Sequence, residues 1–249
     1  MVEKDTKTDK SDFLQLVREA IGRKTPLLYA PDYPPLKSNY TRQQEKVRTI
    51  TAKNLARKSK ILDQLIENAS FAGWNVHRVS DHESAAEKIG EIAASVKAKL
   101  AVRTTETILK SVNVDGALRS KKVTPVVLAS GRYRSKSDLK EVAFKADLGI
   151  SGVSFAIAET ASCVLIPRKG VARLTSLAPP VFVAIVQADQ VLENLDDYFA
   201  MVRLQFQKTR GRYPNYTNFV SGPSRTADIE QTLTIGVHGP GIVHMVLVG

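Results

Sequence analysis

The sequence predicts an α/β protein with a mostly parallel sheet flanked by helices. From residue 75 onward, short apolar runs typical of strands alternate with stretches of helical spacing, which favours a parallel sheet covered on both faces. Strand candidates crowd together after residue 150, which predicts antiparallel additions. The length of 249 residues, with 43% hydrophobic and 24% charged residues, suits a globular protein with a full core.

The first 72 residues predict helices joined by an extended arm. Ser11 has the chemistry of a helix N-cap, and Gly22 ends the helix that follows. A longer helix is expected to begin at Thr41 and to stop at Gly73. Residues 25–40, rich in proline and tyrosine, are expected to form the arm. We therefore predict an N-terminal extension at residues 1–72, packed on the core, and an α/β domain at residues 73–249.

The elements of the α/β domain follow from local patterns. Ser80 and Glu83 form a capping-box pattern, which predicts the start of the first helix of this domain. The helix candidates share a polar start and apolar residues at helical spacing, and they are residues 81–97, 105–112, 137–146 and 192–206. The strand candidates share short apolar runs between turn residues, and they are residues 75–79, 100–102, 123–128, 155–158, 163–167, 181–186, 218–221, 234–237 and 243–248.

The positive charge is confined to the first half of the chain. The formal net charge is +11; residues 1–140 hold 27 Lys and Arg against 16 Asp and Glu, and residues 141–249 hold 9 against 9. The basic clusters at residues 57–60, 119–122 and 132–136 are short and lack interleaved aromatic residues, which disfavours nucleic-acid binding. This positive charge is still compatible with an acidic protein partner or with regulatory binding to nucleic acid.

Cysteine and histidine counts restrict the cofactor chemistry. Cys163 is the single cysteine, which excludes an intramolecular disulfide and a cysteine-ligated iron–sulfur cluster within this chain. No histidine pair has metal-ligand spacing, and neither a G-x-G-x-x-G nor a P-loop motif is present. We therefore expect no metal, flavin or nucleotide cofactor. No apolar run approaches the ~20 residues of a membrane span, and residues 1–10 do not resemble a secretory signal, so the expected location is the cytoplasm.

Two Gly/Pro segments near the end of the chain predict an anion-binding site. Residues 221–230 and 236–241 place glycine and proline beside groups that bind anions or move protons. A helix starting in the first segment would aim free N–H groups at an anion. The plain alternative is two tight turns with the arginine on the surface. The candidate ligand-binding residues are Gly222, Ser224, Arg225, Thr226, Asp228, Gly239 and Gly241.

Two residues are candidates for acid–base chemistry. Glu159 lies in an apolar stretch, where burial would raise its pKa and suit it to proton or acyl transfer. Its alternative role is to cap backbone N–H groups or to pair with an arginine such as Arg173. His238 is suited to acid–base work near neutral pH, or else stabilises its turn.

Three segments, in the expected order over about a hundred residues, carry a family resemblance. Residues 221–230 with 236–241, residues 149–162, and Arg173 followed by residues 177–186 resemble the lactate utilization protein C family (the LutC/YkgG domain). In this comparison residues 149–152 correspond to a glycine-rich turn that leads into Glu159 and Thr160. The sequence departs from the pattern at Ala161, where the family usually has glycine.

The resemblance implies a fold and a role. It implies a NagB/RpiA/CoA-transferase-like fold and a place in a system that oxidises L-lactate to pyruvate. Iron–sulfur partner proteins would carry the redox chemistry there, and this chain would be a non-redox accessory subunit. Two alternatives stay open: a stand-alone enzyme of this fold acting on a small anionic substrate, and a basic nucleic-acid or regulatory binder. A homo-oligomer is compatible with each.

The site is expected where strands end. Ligands of open α/β sheets sit beyond the carboxyl ends of the strands, and three motif segments follow strand candidates. We therefore expect Glu159 and Thr160, residues 222–226 and residues 238–241 to line one anion-accepting pocket.

Overall fold

The computed structural model of the chain describes residues 9–22, 39–129, 135–214, 216–227 and 233–249. The chain divides into two units, residues 1–38 and residues 39–249. In the first unit, helix α1 spans Lys10–Ala20 and begins after Asp9 rather than after Ser11. Apart from residues 39 and 40, the predicted extended arm lies outside the described residues. None of the helices in the described ranges has the length and apolar content that crossing a membrane requires.

The predicted long helix is two helices, α2 (Tyr40–Ala56) and α3 (Lys58–Ala72). The prediction of one continuous helix from Thr41 is wrong because the chain leaves helical geometry at Arg57, where φ is −110° and ψ is 15°. The break lets α2 contact the last helix of the chain while α3 packs on the central sheet. Gly73 ends α3 in the left-handed region at φ 96°, as predicted.

The strands and the remaining helices alternate along the chain as expected. The strands are β1 Asn75–Val79, β2 Leu100–Arg103, β3 Thr124–Val127, β4 Leu148–Gly152, β5 Phe155–Ile157, β6 Ser162–Leu165, β7 Val181–Gln187, β8 Val191–Leu192, β9 Asn218–Val220, β10 Arg225–Ala227, β11 Leu233–Ile235 and β12 Ile242–Val248. The helices are α4 His82–Ser95, α5 Thr107–Ser111, α6 Val114–Ser120, α7 Lys136–Lys145, α8 Leu174–Leu177 and α9 Leu195–Lys208. The patterns missed α6, α8, β4, β8 and β10.

The architecture confirms the predicted fold class. Six strands form a parallel sheet in the order β1-β12-β7-β4-β2-β3. A second sheet has the order β8-β5-β6-β9 and contains the expected antiparallel pairs. Strands β10 and β11 form a separate two-stranded hairpin.

Two apolar layers bury the central sheet. On one face, Leu65 and Ala69 of α3 pack with Phe182 and Met245 of the sheet and with Cys163 of the second sheet. On the other face, α4, α5 and α6 supply a second cluster that includes Ile89 and Leu118. Because both faces are covered, the central strands are apolar on both sides, as parallel strands usually are.

The largest correction concerns residues 149–152, which form the buried strand β4 rather than a turn. Glycine is required at 149 because a Cβ there would lie 1.9 Å from the carbonyl oxygen of Thr175 in α8. The missing side chain therefore allows α8 to cross directly over β4. A glycine-rich run resembles a turn in sequence, and only the strand's central place in the sheet reveals its role.

Replacing Gly149 with alanine is expected to lower the free energy of unfolding by about 3 kcal/mol, because the added methyl overlaps the Thr175 carbonyl. Gly90 of α4 is the matched control. Its Cβ would meet its nearest neighbours at 3.4 Å, and alanine favours the helix by up to about 1 kcal/mol. Urea unfolding of G149A and G90A tests this prediction. Equal stability of the two variants would contradict it.

Candidate functional site

The two Gly/Pro segments near the end of the chain lie side by side. The Ser224 N–H donates to the Pro240 carbonyl at 2.9 Å, and the Gly236 N–H donates to the Ser224 carbonyl at 2.9 Å. The His238 N–H donates to the Ser224 hydroxyl at 3.3 Å. Ser224 therefore joins residues 222–226 to residues 236–241, the neighbourhood that the sequence predicts.

These loops lie at the amino edge of the central sheet. The N–H groups of Gly241 and Ile242 both donate to the Pro180 carbonyl, at 3.0 and 3.2 Å, where β7 and β12 begin. The loops also approach Gly73, which precedes β1. The expected position beyond the carboxyl ends of strands is wrong, because the motif at residues 238–241 leads into a parallel strand instead of leaving one.

Arg225 begins a strand and not a helix. Residues 225–227 are β10, paired antiparallel with β11, so the expected helix start with free N–H groups is not formed. The exposed guanidinium donates from Nη2 to the Ala72 carbonyl at 3.4 Å, at the end of α3. A cation at a helix C-terminus is favourable, and this contact matches the plain alternative of surface turns. Thr226 pairs with Thr234 in the hairpin, and Asp228 lies outside the described residues.

Thr160 reaches the same loops through a chain of hydroxyl groups. The hydroxyls of Thr160 and Ser162 are 2.8 Å apart, and those of Ser162 and Ser221 are 2.6 Å apart. Gly222 follows at φ 135°, and a Cβ there would lie 2.6 Å from the Ala72 carbonyl. The loop can follow this path only because residue 222 has no side chain.

Ala161 is held in a backbone conformation that favours glycine. Its φ is 51°, in the left-handed region, although it carries a side chain. The residue is buried, and its carbonyl accepts a hydrogen bond from Trp74 Nε1 at 3.1 Å. This geometry explains why glycine would suit the position at which the sequence departs from the family pattern.

Glu159 and His238 are both exposed to solvent. Glu159 Oε2 accepts from the Leu195 N–H at 3.2 Å, at the first residue of α9, and its own N–H donates to the Glu193 carbonyl at 3.0 Å. The expected burial of Glu159 is wrong because the chain has reached the solvent-facing end of β5. The contacts match the alternative of a carboxylate that caps N–H groups. A catalytic role for either residue stays a prediction.

A different carboxyl group lies at the switch point of the sheet. From β2 the chain continues to β3, the neighbour on one side. It then returns to β4, the neighbour on the other side of β2, and continues in that direction to β7. The strand order therefore reverses between β2 and β4. Ligands of open α/β sheets bind in the crevice beyond such a point. The residues at these carboxyl ends include Thr104 and Glu106 after β2, and Ser151 in β4.

Glu106 is a largely buried acid. Its Oε1 accepts from the Ser151 hydroxyl at 3.3 Å, and its buried Oε2 has no hydrogen-bond partner among the described residues. Burial raises the pKa of Glu106, opposed in part by a hydrogen bond from Thr104 and by the charge of Arg168. A carboxyl group with a raised pKa at a switch point is suited to hold or transfer a proton.

The surrounding chain fixes this carboxyl group. Arg103 makes a two-pronged ion pair with Asp115 of α6, at 2.5 and 2.7 Å, and also donates to the Thr104 carbonyl at 2.9 Å. The Arg103 guanidinium lowers the pKa of Asp115, which keeps this pair ionised. These contacts hold the backbone just before Glu106.

The sequence patterns did not single out Glu106. They assigned residues 105–112 to one helix, whereas Glu106 is the residue before α5 (Thr107–Ser111). The sequence does carry one signal for Glu106, which is an acidic residue just after the apolar run 100–102. Its burial, however, depends on β4 lying beside β2, and the patterns had assigned β4 to a turn.

Metal binding has no support in the described part of the chain, where no three His, Cys, Asp or Glu side chains are grouped to hold an ion. Cys163 is fully buried, and burial raises the pKa of its thiol. Such a thiol is neither a nucleophile nor a metal ligand at neutral pH.

Several known proteins that are similar to this chain share the name lactate utilization protein C. The lactate utilization protein C of Halalkalibacterium halodurans is 36% identical over 102 residues, which are 41% of this chain and 44% of that protein. The protein of that name from Exiguobacterium sp. is 38% identical over 109 residues, 44% of this chain and 47% of that protein. The chain thus spans less than half the length of these two relatives. Lactate utilization protein C 1 of Bacillus mycoides is 29% identical over 232 residues, 93% of each chain.

Similarity to a solved structure supports the assigned fold and nothing further. The crystal structure of a DUF162 family protein from Deinococcus radiodurans superposes with a TM-score of 0.51 at 22% identity, over 77% of this chain and 98% of that one. The family model of the LUD domain matches residues 62–248, well over half of the chain. The chain therefore belongs to the LUD domain family, which confirms its resemblance to the lactate utilization protein C family.

Proposed function

We propose that this chain is a component of an L-lactate oxidation system, in which it is a non-redox accessory subunit that acts with iron–sulfur partner proteins in the cytoplasm. The observation that carries the proposal is the alignment with a lactate utilization protein C over 93% of both chains. Oxidising lactate to pyruvate removes a hydride equivalent, which needs an acceptor such as a flavin, a nicotinamide or a metal centre.

The residues of the chain support a role without electron transfer. An iron–sulfur cluster is usually held by four cysteine thiolates, and this sequence has one cysteine. That cysteine lies in the core between the two sheets, away from any surface where a cluster could be shared with a partner. The electron acceptor is therefore assigned to other proteins of the system.

The hairpin β10–β11 is the surface that we propose for docking these partners. Leu233, Ile235 and Val237 are 57%, 57% and 52% exposed, which is unusual for three neighbouring apolar residues. A two-stranded hairpin outside a larger sheet is only marginally stable in water, so a partner that covers it would stabilise it. The Gly222 and Gly239 loops at its base would then position the docked protein.

Glu106 favours a second candidate, a stand-alone enzyme acting on a small anionic substrate. Its raised pKa and its place at the switch point are those of an acid–base group. Arg168, whose charge acts on Glu106, would attract an anion. The two candidates differ in whether the pure chain turns over a substrate by itself.

We expect the pure chain to show no L-lactate turnover with an artificial electron acceptor such as a dichlorophenol dye. We expect activity when the proposed iron–sulfur partner proteins are added. The reason is that this chain offers no recognisable site for a hydride or electron acceptor. The measurement is dye reduction by the chain alone, by the partners alone and by the mixture. Robust turnover by the chain alone would overturn the accessory role.

Replacing Ile235 with aspartate is expected to weaken binding of the iron–sulfur partners at least about tenfold, because it places a charge in an apolar docking surface. Phe144 of α7, which is 68% exposed, is the matched control. The variant F144D should bind as the wild-type chain does. Binding to surface-immobilised partner measures the affinity of each variant. Thermal unfolding shows separately whether each variant is folded. Unchanged affinity of a folded I235D chain would rule out this docking surface.

Replacing Glu106 with glutamine is expected to change how stability depends on pH. The pKa of Glu106 is raised above its ordinary value of 4.5, so above that pH the folded chain holds a proton that the unfolded chain has released. The free energy of unfolding of the wild type therefore falls as pH rises through this window. Glutamine removes that loss, so the stability of E106Q relative to the wild type should increase as the pH rises above 4.5.

Thermal unfolding across this pH range measures the difference in stability between the two chains. In a chain of this size, each kcal/mol of unfolding free energy shifts the Tm by about 2–4 °C. The exposed Glu87 of α4 is the control, and E87Q should follow the wild-type curve at every pH. A wild-type curve parallel to that of E106Q would mean that Glu106 titrates as an ordinary surface carboxylate.

A further inference from the structure

A cavity of about 240 Å³ lies where α2 and α3 diverge. Its walls come from these two helices, from β5 and β8 of the second sheet, and from α9. The lining is mainly apolar and includes Leu55, Leu62, Phe155, Val191, Leu192 and Met201. The volume exceeds the ~150 Å³ of an engineered apolar cavity that binds benzene, so it accommodates a substituted single ring.

Asn54 is a buried, unpaired polar residue in the wall of this mainly apolar cavity. It lines the cavity and is only 9% exposed, and neither its Oδ1 nor its Nδ2 has a hydrogen-bond partner among the described residues. Buried polar groups in folded proteins nearly always have partners, and an unpaired one costs about 1–3 kcal/mol. Both amide atoms are buried, so pairing with a molecule in the cavity requires the Asn54 side chain to turn toward it, and the terminal torsion of asparagine is soft.

The charged groups at the cavity mouth restrict what enters. Lys58 and Asp189 line both this cavity and an adjoining open cleft of about 310 Å³ at the carboxyl edge of the sheet. Their charges cancel, so the mouth does not select for an anion or a cation. A small carboxylate such as lactate would lose its hydration among the apolar walls without gaining a buried cation. The ligand must therefore be uncharged and largely apolar.

We propose that the cavity binds an uncharged aromatic compound of one ring that carries a carboxamide-like group. The ring fills the space between Phe155, Leu192 and Met201. The carboxamide offers one donor and one acceptor side by side, which is the complement of the Asn54 amide. This site is separate from the carboxyl group of Glu106, because the described residues that line it do not include Thr104, Ser151 or Arg168.

Benzamide is the probe for this site, followed by the NMR signal of the Met201 methyl group during titration of the full chain. We expect saturable shifts with a dissociation constant of roughly 1 mM or lower. Toluene lacks the amide edge and benzoate is charged, so both should bind at least about tenfold more weakly.

The variant N54L keeps the branched shape of the side chain and removes the amide, so it should fold at least as stably and lose benzamide affinity by about tenfold while keeping toluene affinity. Asn75 of β1, which is exposed, is the control, and N75A should bind benzamide like the wild type. Absence of a saturable Met201 shift with benzamide would overturn the proposal. Equal benzamide affinity in wild type and N54L would also overturn it, since the Asn54 amide would then not contribute to binding.

Discussion

Burial of the parallel sheet on both faces is the constraint on which the rest of the structure depends. Strands β7 and β12 are covered by α3 and the second sheet on one side and by the cluster of α4, α5 and α6 on the other, and α8 covers β4. Polar chemistry is thereby excluded from the faces and restricted to the two edges where strands begin and end. Both groups of candidate site residues lie at those edges, and they lie at opposite ones.

The carboxyl edge holds a largely buried acid, Glu106, whose pKa is raised by burial. Glycine at 149 allows α8 to approach β4, and the packing of β4 beside β2 places Ser151 next to Glu106. The same packing removes water from the Glu106 carboxyl and leaves Oε2 without a partner among the described residues. Groups held at such a cost are concentrated at functional sites, because function requires an environment that stability alone would not select.

The amino edge has a different character. Its glycines permit close approach of loops to the end of α3, and its arginine satisfies a helix carbonyl, so the arrangement orients a surface. The hairpin above it exposes three apolar residues that no described element covers. A rigid base beneath an apolar strand pair is suited to docking a protein, whereas the buried acid at the other edge is suited to a small molecule. The accessory-subunit proposal uses the first edge, and the enzyme alternative uses the second.

The sequence by itself determined the fold class, most of the strands, the stop at Gly73 and the family, because each depends on local periodicity, turn chemistry or a linear motif. It also predicted that residues 222–226 and 238–241 are neighbours. Only the tertiary structure decided that these loops lie at the amino edge, that residues 149–152 are a central strand, and that Glu106 is largely buried while Glu159 is exposed. The physical reason is that burial and edge follow from the order of strands in the sheet. That order is set by long-range packing between elements, which the spacing of residues along the chain does not record.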